Sequence, residues 1–262
     1  VRLGDVIGRL DTIAVASIGR DNGQRGVAVA SAWRGWPVEI AGHAFDANDD
    51  LVKRRGVELR ASWSAQAPLM SVRVEAGGLT GKPIDIGFAD ASLRVRQVLS
   101  SWRTDEELRL SGEGGSLRHF RGVARGSLRR GAFSVVGRYQ HDQSRGNGGV
   151  EVGGVPSSIL PLSAIPNRIL DPALPVRTLT GRRYDSVRIE TTLPVFPATF
   201  FYQRHRTDLA SVSVAGLQMT FGSGPQPLIR YPGIDFTAGV ARILDEPLRN
   251  RTKWWLSMRW RP

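Results

Sequence analysis

Polar and apolar residues alternate along most of this chain with a period of two. Val57, Leu59, Ala61 and Trp63 fall on one side of an extended segment, and Glu58, Arg60 and Ser62 on the other. Ser71-Val72-Arg73-Val74-Glu75-Ala76, Ser92-Leu93-Arg94-Val95-Arg96, Glu107-Leu108-Arg109-Leu110 and Ser186-Val187-Arg188-Ile189-Glu190 repeat the arrangement. Successive side chains of a β-strand point to opposite faces, so the pattern predicts strands with one greasy and one charged face. No segment reads as a capped helix of period 3.6; the best candidate, Ala164–Leu174, is broken by Pro166 and Pro172.

The alternation predicts strands near 9–21, 26–36, 38–48, 56–67, 70–80, 84–101, 104–115, 119–130, 132–143, 184–196, 198–208, 211–222, 234–244 and 252–261. Most are longer than the ~5–6 residues of a soluble strand and match the ~9–11 that a tilted membrane strand needs. Gly35-Trp36-Pro37, Ala67-Pro68-Leu69, Arg129-Arg130-Gly131 and Phe196-Pro197-Ala198 read as tight turns. Between them come longer polar loops at 21–25, 46–55, 113–118, 207–211 and 245–252, and one of about forty residues at 144–183. Short turns on one rim and long loops on the other are the habit of membrane barrels, whose short turns are periplasmic. Gly222–Pro232 breaks the rule, being long and proline-rich on the rim of short turns.

The predicted fold is therefore all-β: a closed antiparallel transmembrane β-barrel of about 14 strands (12–16), both termini periplasmic, forming a single domain over 1–262. Its lumen-facing side would carry Glu58, Arg60, Arg73, Glu75, Arg94, Arg96, Arg109, Arg188, Glu190 and Arg259. Trp33, Trp36, Trp63, Trp102, Trp254 and Trp260 stand near strand ends, where aromatic residues meet lipid headgroups. In the closing segment KWWLSMRWRP, Trp254, Leu256, Met258 and Trp260 would face lipid while Lys253, Ser257 and Arg259 face the lumen. The arginine-rich side has two readings. Cross-strand Arg–Glu pairs fill a narrow barrel, or excess arginine makes a positive pore that favours anions. The segment 146–183 is apolar for a loop, with Ile159, Leu160, Leu162, Ile165, Ile169, Leu170 and Leu174. It is expected to enter the barrel as a plug, cover its rim, or contact a partner.

Composition narrows the alternatives. Hydrophobic residues make up 41% and charged residues 23% of the 262 residues, which excludes a disordered chain. No apolar run approaches the ~20 residues of a membrane-spanning helix. With no cysteine there is no disulfide framework, thiol nucleophile or cysteine-based zinc site. The start at Val1 reads as a mature or trimmed fragment. A net charge of +12 invites a nucleic-acid reading, but the arginines are spread at alternate positions rather than clustered, so nucleic acid is not expected as a partner. A soluble basic β-sandwich binding polyanions would show the same alternation with its greasy face inward.

Little chemistry is written in the motifs. His43, His119, His141 and His205 form no HExxH or other local metal motif, Gly81-Lys82-Pro83 is not a phosphate loop, and no G-x-S-x-G elbow occurs. Tyr139–Asn147 is the most enzyme-like window, and an outer-membrane lipid hydrolase using His141 and Ser144 is the alternative it raises. Outer-membrane phospholipases set the serine two positions after the histidine; here the spacing is three, which puts the side chains on opposite faces of a strand. The expectation is a non-enzyme that needs neither cofactor nor metal.

The long amphipathic strands, the tryptophan-rich final strand and Ala32-Trp33-Arg34-Gly35-Trp36-Pro37-Val38-Glu39 resemble Gram-negative outer-membrane β-barrels. In particular the chain is similar to barrel domains that follow a periplasmic TolB-type β-propeller in bacterial surface proteins. The resemblance implies an outer-membrane location and a role as membrane anchor or pore. It implies outer-membrane lipid and lipopolysaccharide, the barrel-assembly machinery, and other surface or periplasmic proteins as partners. Arg261-Pro262 departs from the family, whose usual last residue is an aromatic.

Overall fold

A computed structural model of the chain describes residues 2–4, 9–17, 25–49, 52–82, 85–115, 118–145, 149–154, 167–175, 177–193, 196–221, 234–245 and 251–260. Its strands are β1 (Arg2–Gly4), β2 (Leu10–Ser17), β3 (Arg25–Trp33), β4 (Val38–Asp49), β5 (Val52–Gln66), β6 (Met70–Lys82), β7 (Ile86–Leu99), β8 (Trp102–Gly115), β9 (Arg118–Arg130) and β10 (Phe133–Arg145). They continue as β11 (Val150–Val152), β12 (Arg168–Ile169), β13 (Leu179–Gly181), β14 (Arg183–Leu193), β15 (Phe196–Thr207), β16 (Ser211–Phe221), β17 (Ile234–Ile243) and β18 (Thr252–Trp260).

Fifteen strands form one sheet in the order β1 to β10 and then β14 to β18, each antiparallel to its neighbour in sequence. β1 has three residues, so fourteen longer strands remain, and every predicted strand is among them with boundaries within four residues. β11, β12 and β13 make a separate three-stranded sheet inside the segment expected as a loop.

The polar stretch 46–55 corrects the loop prediction. β4 and β5 stay paired through Asp46↔Arg55, Ala47↔Arg54, Asn48↔Lys53 and Asp49↔Val52, and Lys53 Nζ lies 3.3 Å from Asp46 Oδ1. Opposite charges across an antiparallel pair support the ladder, so a polar run need not end it. β8 and β9, and β15 and β16, are likewise joined by only two and three residues. The contrast between the two rims is thus smaller than expected, and loop length does not fix the side on which the termini lie.

The apolar face is turned outward. Val57 is 46% exposed, Leu59 63%, Trp63 45%, Trp254 77% and Leu256 74%. A soluble sandwich would bury this face between two sheets, so that expectation fails. Glu106 is an acidic exception on this face, paired in register with Val95 and Gly126.

The opposite face wraps around residues 149–154, 167–175 and 177–181. Val150, Val152, Ile169, Ala173, Leu174 and Leu179 share a buried cluster with Tyr184, Phe201, Val212, Val214, Ala241 and Ile243 of β14 to β17. Leu170 packs instead on a second cluster, Ala28, Phe45, Ala47, Leu79 and Ile86, from β3, β4, β6 and β7. The next residue, Asp171, stands 3.1 Å from His205 of β15. In the sheet order β7 is seventh, β3 third and β15 twelfth, five to nine steps apart. At ~4.8 Å per step a flat sheet would separate them by about 24–43 Å. Two consecutive residues can touch both only if the sheet curls around them.

Candidate functional site

The side chains of the inward-curled face form two halves. In the half built by β2 to β8, acids and arginines are matched. Arg34 Nε donates to Glu39 at 2.7 Å, Arg60 lies 3.4 Å from Glu75 and 3.9 Å from the buried Glu58, and Arg73 lies 3.0 Å from Glu75. Arg109 Nε donates to Asp90 at 2.6 Å, and Arg94 makes a two-pronged ion pair with Asp105. Of these, Arg34, Glu58, Arg60, Glu75, Asp90 and Arg109 border a cavity of about 470 Å³.

The half built by β9 to β15 is different. Register places Arg94, Glu107, Arg125, Arg138, Arg188 and Gln203 side by side in one row across six strands. Arg125, Arg138 and Arg188 are consecutive members of that row. Like charges set directly opposite in a sheet destabilise it, so packing alone does not favour this arrangement. Arg138 Nη2 donates to Gln140 at 2.8 Å, and Gln140 donates to the fully buried Asp142 at 2.7 Å. Arg188 is held by Glu190 at 2.6 Å, Gln203 at 2.8 Å and Gln218 at 3.1 Å, with its guanidinium 4.2 Å above the Phe201 ring. Neutral amides hold Arg138 and help hold Arg188, while the carboxylates near the row are Glu190 on Arg188 and Glu107 opposite Arg125.

The predicted set is therefore divided. Glu58, Arg60, Arg73, Glu75, Arg94 and Arg109 join ion pairs on the polar face, Arg188 and Glu190 pair within the belt, and Arg96 is half-buried on the same face. The side chains of Arg259 and Trp260 lie outside the described residues. Arg125 and Arg138 were missing from the prediction. Their outward neighbours include Gly126 and Gly137, so the apolar half of the alternation is faint there. The signal was the register, which a single strand does not display.

The tryptophans mark the edges of the apolar face. Trp33 ends β3, Trp36 lies in the following turn, Trp63 precedes the β5–β6 turn and Trp102 begins β8, all toward one rim. Trp102 stacks against Phe133 edge to face at 6.3 Å and carries Arg130 at 5.5 Å. Trp254 is near the opposite end, and Trp255 turns inward to rest over Gly239, where a Cβ would come within 2.1 Å of its ring. Only glycine leaves room for that ring.

The hydrolase pair is not assembled. His141 lies 2.9 Å from Asp185, while Ser144 is buried on the other face opposite His119 in register. Both ring nitrogens of His119 stand against carboxylates, Nδ1 3.3 Å from Glu113 and Nε2 3.0 Å from Asp142. Neither nitrogen is placed to activate a serine.

A buried polar chain fastens the inner segment to the wall. The Tyr184 hydroxyl is 2.8 Å from His205 Nδ1, and His205 Nε2 is 3.1 Å from Asp171 Oδ2, whose Oδ1 accepts the Ala173 N–H at 2.9 Å. Burial pushes the Asp171 pKa up, but the hydrogen bonds from His205 and Ala173 outweigh it and hold the carboxyl below its ordinary range.

No protein-family description matches the chain, and no curated protein matches it. Solved structures do. OccAB1 of Acinetobacter baumannii is 10% identical over 96% of this chain and 73% of its own, with a TM-score of 0.56. OpdK of Pseudomonas aeruginosa, solved with vanillate, is 12% identical over 95% of this chain and 72% of its own, with a TM-score of 0.52. A BenF-like porin of Pseudomonas fluorescens Pf-5 is 10% identical over 97% of this chain and 75% of its own, with a TM-score of 0.51. None of the three is described as linked to a propeller. At such identities the likeness concerns architecture alone: the chain has the antiparallel all-β fold of outer-membrane porin barrels.

Proposed function

We propose that the chain is a non-enzymatic pore of a Gram-negative outer membrane, closed between its first and last strands and selective for small anions. The whole of 1–262 is read as one barrel domain with periplasmic termini, and the loop 144–183 as an inner constriction. An exposed apolar band needs hydrocarbon around it, and a sheet in hydrocarbon must have no open edge. The tryptophans near the strand ends sit in the two headgroup layers. The lumen is lined by Glu58, Arg60, Arg73, Glu75, Arg94, Arg96, Arg109, Arg188, Glu190 and Arg259, joined by Arg125 and Arg138.

One observation carries the choice of pore over filled anchor: the unbroken run Arg125, Arg138, Arg188. A wall built only for stability would alternate charge there, as the β2 to β8 half does. A row of fixed guanidiniums lowers the energy of an anion passing it and raises that of a cation. Purified protein in planar bilayers under a potassium chloride gradient is expected to show a reversal potential of the anion-selective sign. Stable insertion without conductance would return the chain to an anchor, and a cation-selective sign would overturn the belt. OpdK was solved with vanillate, a carboxylate, so aromatic carboxylates are the first blockers to try.

A further inference from the structure

The matched half of the inward face holds a hollow that anion conduction does not use. Small residues make its floor: Ala30, Ala32 and Ala41 of β3 and β4 line the cavity of about 470 Å³, and Ala32 stands opposite Ala41 in register. Arg60 follows opposite Ala41, and Gly77 opposite Arg60. Phe88, the next member of that row, lines the cavity and leans over Gly77, where a Cβ would come within 2.6 Å of its ring. A half-buried aromatic wall thus faces a floor of alanines.

The charged groups of the hollow are fastened differently from those outside it. Arg94 grips Asp105 with two prongs, which occupies donors and acceptors together. In the hollow the pairs are single-pronged. Arg34 donates through Nε to Glu39 Oε2 at 2.7 Å, and Arg109 through Nε to Asp90 Oδ2 at 2.6 Å. Among the described residues no hydrogen bond occupies the terminal nitrogens of Arg34 or Arg109, nor Glu39 Oε1 or Asp90 Oδ1. Each pair therefore cancels its own charge and still offers both N–H donors and a carboxylate oxygen. A hydroxyl group donates and accepts at once, so a ligand with several hydroxyls can use these atoms without breaking a pair. An ion would have to compete with a partner already in place.

We propose that this hollow binds neutral saccharides in transit. Ring hydroxyls meet Arg34, Glu39, Asp90 and Arg109, and the C–H face of the sugar lies against Phe88. A volume of about 470 Å³ suits a ligand of about one or two sugar rings. The assignment rests on the pore reading and adds to it an uncharged substrate class.

The test uses the full chain in planar bilayers and follows the ionic current as glucose is added. Glucose should lower the current along a saturating curve, and a polyethylene glycol of equal size only in proportion to its concentration. R34A/E39A removes both partners of one pair together and so leaves no unpaired charge, and Ala32→Leu fills the floor. Each should insert normally, keep the anion-selective reversal potential and bind glucose roughly tenfold or more weakly. A saturating effect of the glycol, an equal or tighter effect of glucosamine with its ammonium group, or an unchanged glucose affinity in either inserted variant would each overturn the site. Anion-selective conductance without a saturating glucose effect refutes this site alone; absent or cation-selective conductance refutes the reading beneath it.

Discussion

Asp171→Ala should free the inner segment and raise the single-channel conductance several-fold. Asp171 and His205 are almost completely buried, their side chains 5% and 0% exposed, and they stand 3.1 Å apart. Removing the carboxylate leaves a ring nitrogen of His205 buried without its partner, at a cost of about 1–3 kcal/mol. The inner segment has only three short strands of its own to hold it, whereas the fifteen-stranded ladder around them is not touched. The variant should therefore insert normally, conduct more, and yield to protease within 149–181. Acid should imitate it. A carboxyl whose folded pKa is depressed stabilises above its ordinary value of 3.8 and loses that contribution as pH falls through the depressed one. Conductance should then stay constant from neutral pH to about 5 and rise below about 4, and Asp171→Asn should remove the step. An unchanged conductance in Asp171→Ala would mean that the segment does not restrict the pore.

Reversing the belt should have the next largest effect. Arg125→Glu combined with Arg138→Glu turns three adjacent positive positions into two negative ones beside Arg188. The double change relieves the opposition between β10 and β14 but sets Glu107 and the two new glutamates in one row, so insertion is checked before selectivity is read. The reversal potential in a salt gradient should change sign. Single Arg→Gln variants should only weaken anion preference, because the other two arginines remain in the row. Persistent anion selectivity in the double variant would move the selective site elsewhere, toward Arg94 and Arg109.

The period of two made the strands legible because one face meets a different solvent from the other along the full length of each element. Ser186-Val187-Arg188-Ile189-Glu190 shows this plainly: Val187 and Ile189 are exposed on the apolar face, and Arg188 and Glu190 turn inward. Strand limits were harder to read, since polar runs such as Asp46–Arg55 keep their ladder wherever opposite charges face each other. Matched pairs such as Arg109 with Asp90 join residues nineteen positions apart, and the row that holds the belt joins six strands. Neither can be seen until register is known. The inner segment was recognised by its apolar content, but its three-stranded sheet and the buried Asp171–His205 contact depend on distant walls meeting. The tilt of the final strand's tryptophans was half legible: Trp254 faces outward as expected, while Trp255 needed Gly239 on the neighbouring strand to find its place.

Closure of the sheet is the claim on which the pore depends, and the chain is convenient for testing it because it contains no cysteine. Spin labels at Ala14→Cys on β2 and Leu256→Cys on β18 would sit on strands second and fifteenth in the sheet, thirteen steps apart. In a closed barrel these strands come together at the seam, and the label separation measured by pulsed electron paramagnetic resonance in lipid should be about 10–20 Å. An open sheet, at ~4.8 Å per step, carries them toward about 60 Å. A single narrow distance below about 20 Å is the predicted result; a distribution centred above about 30 Å would contradict it.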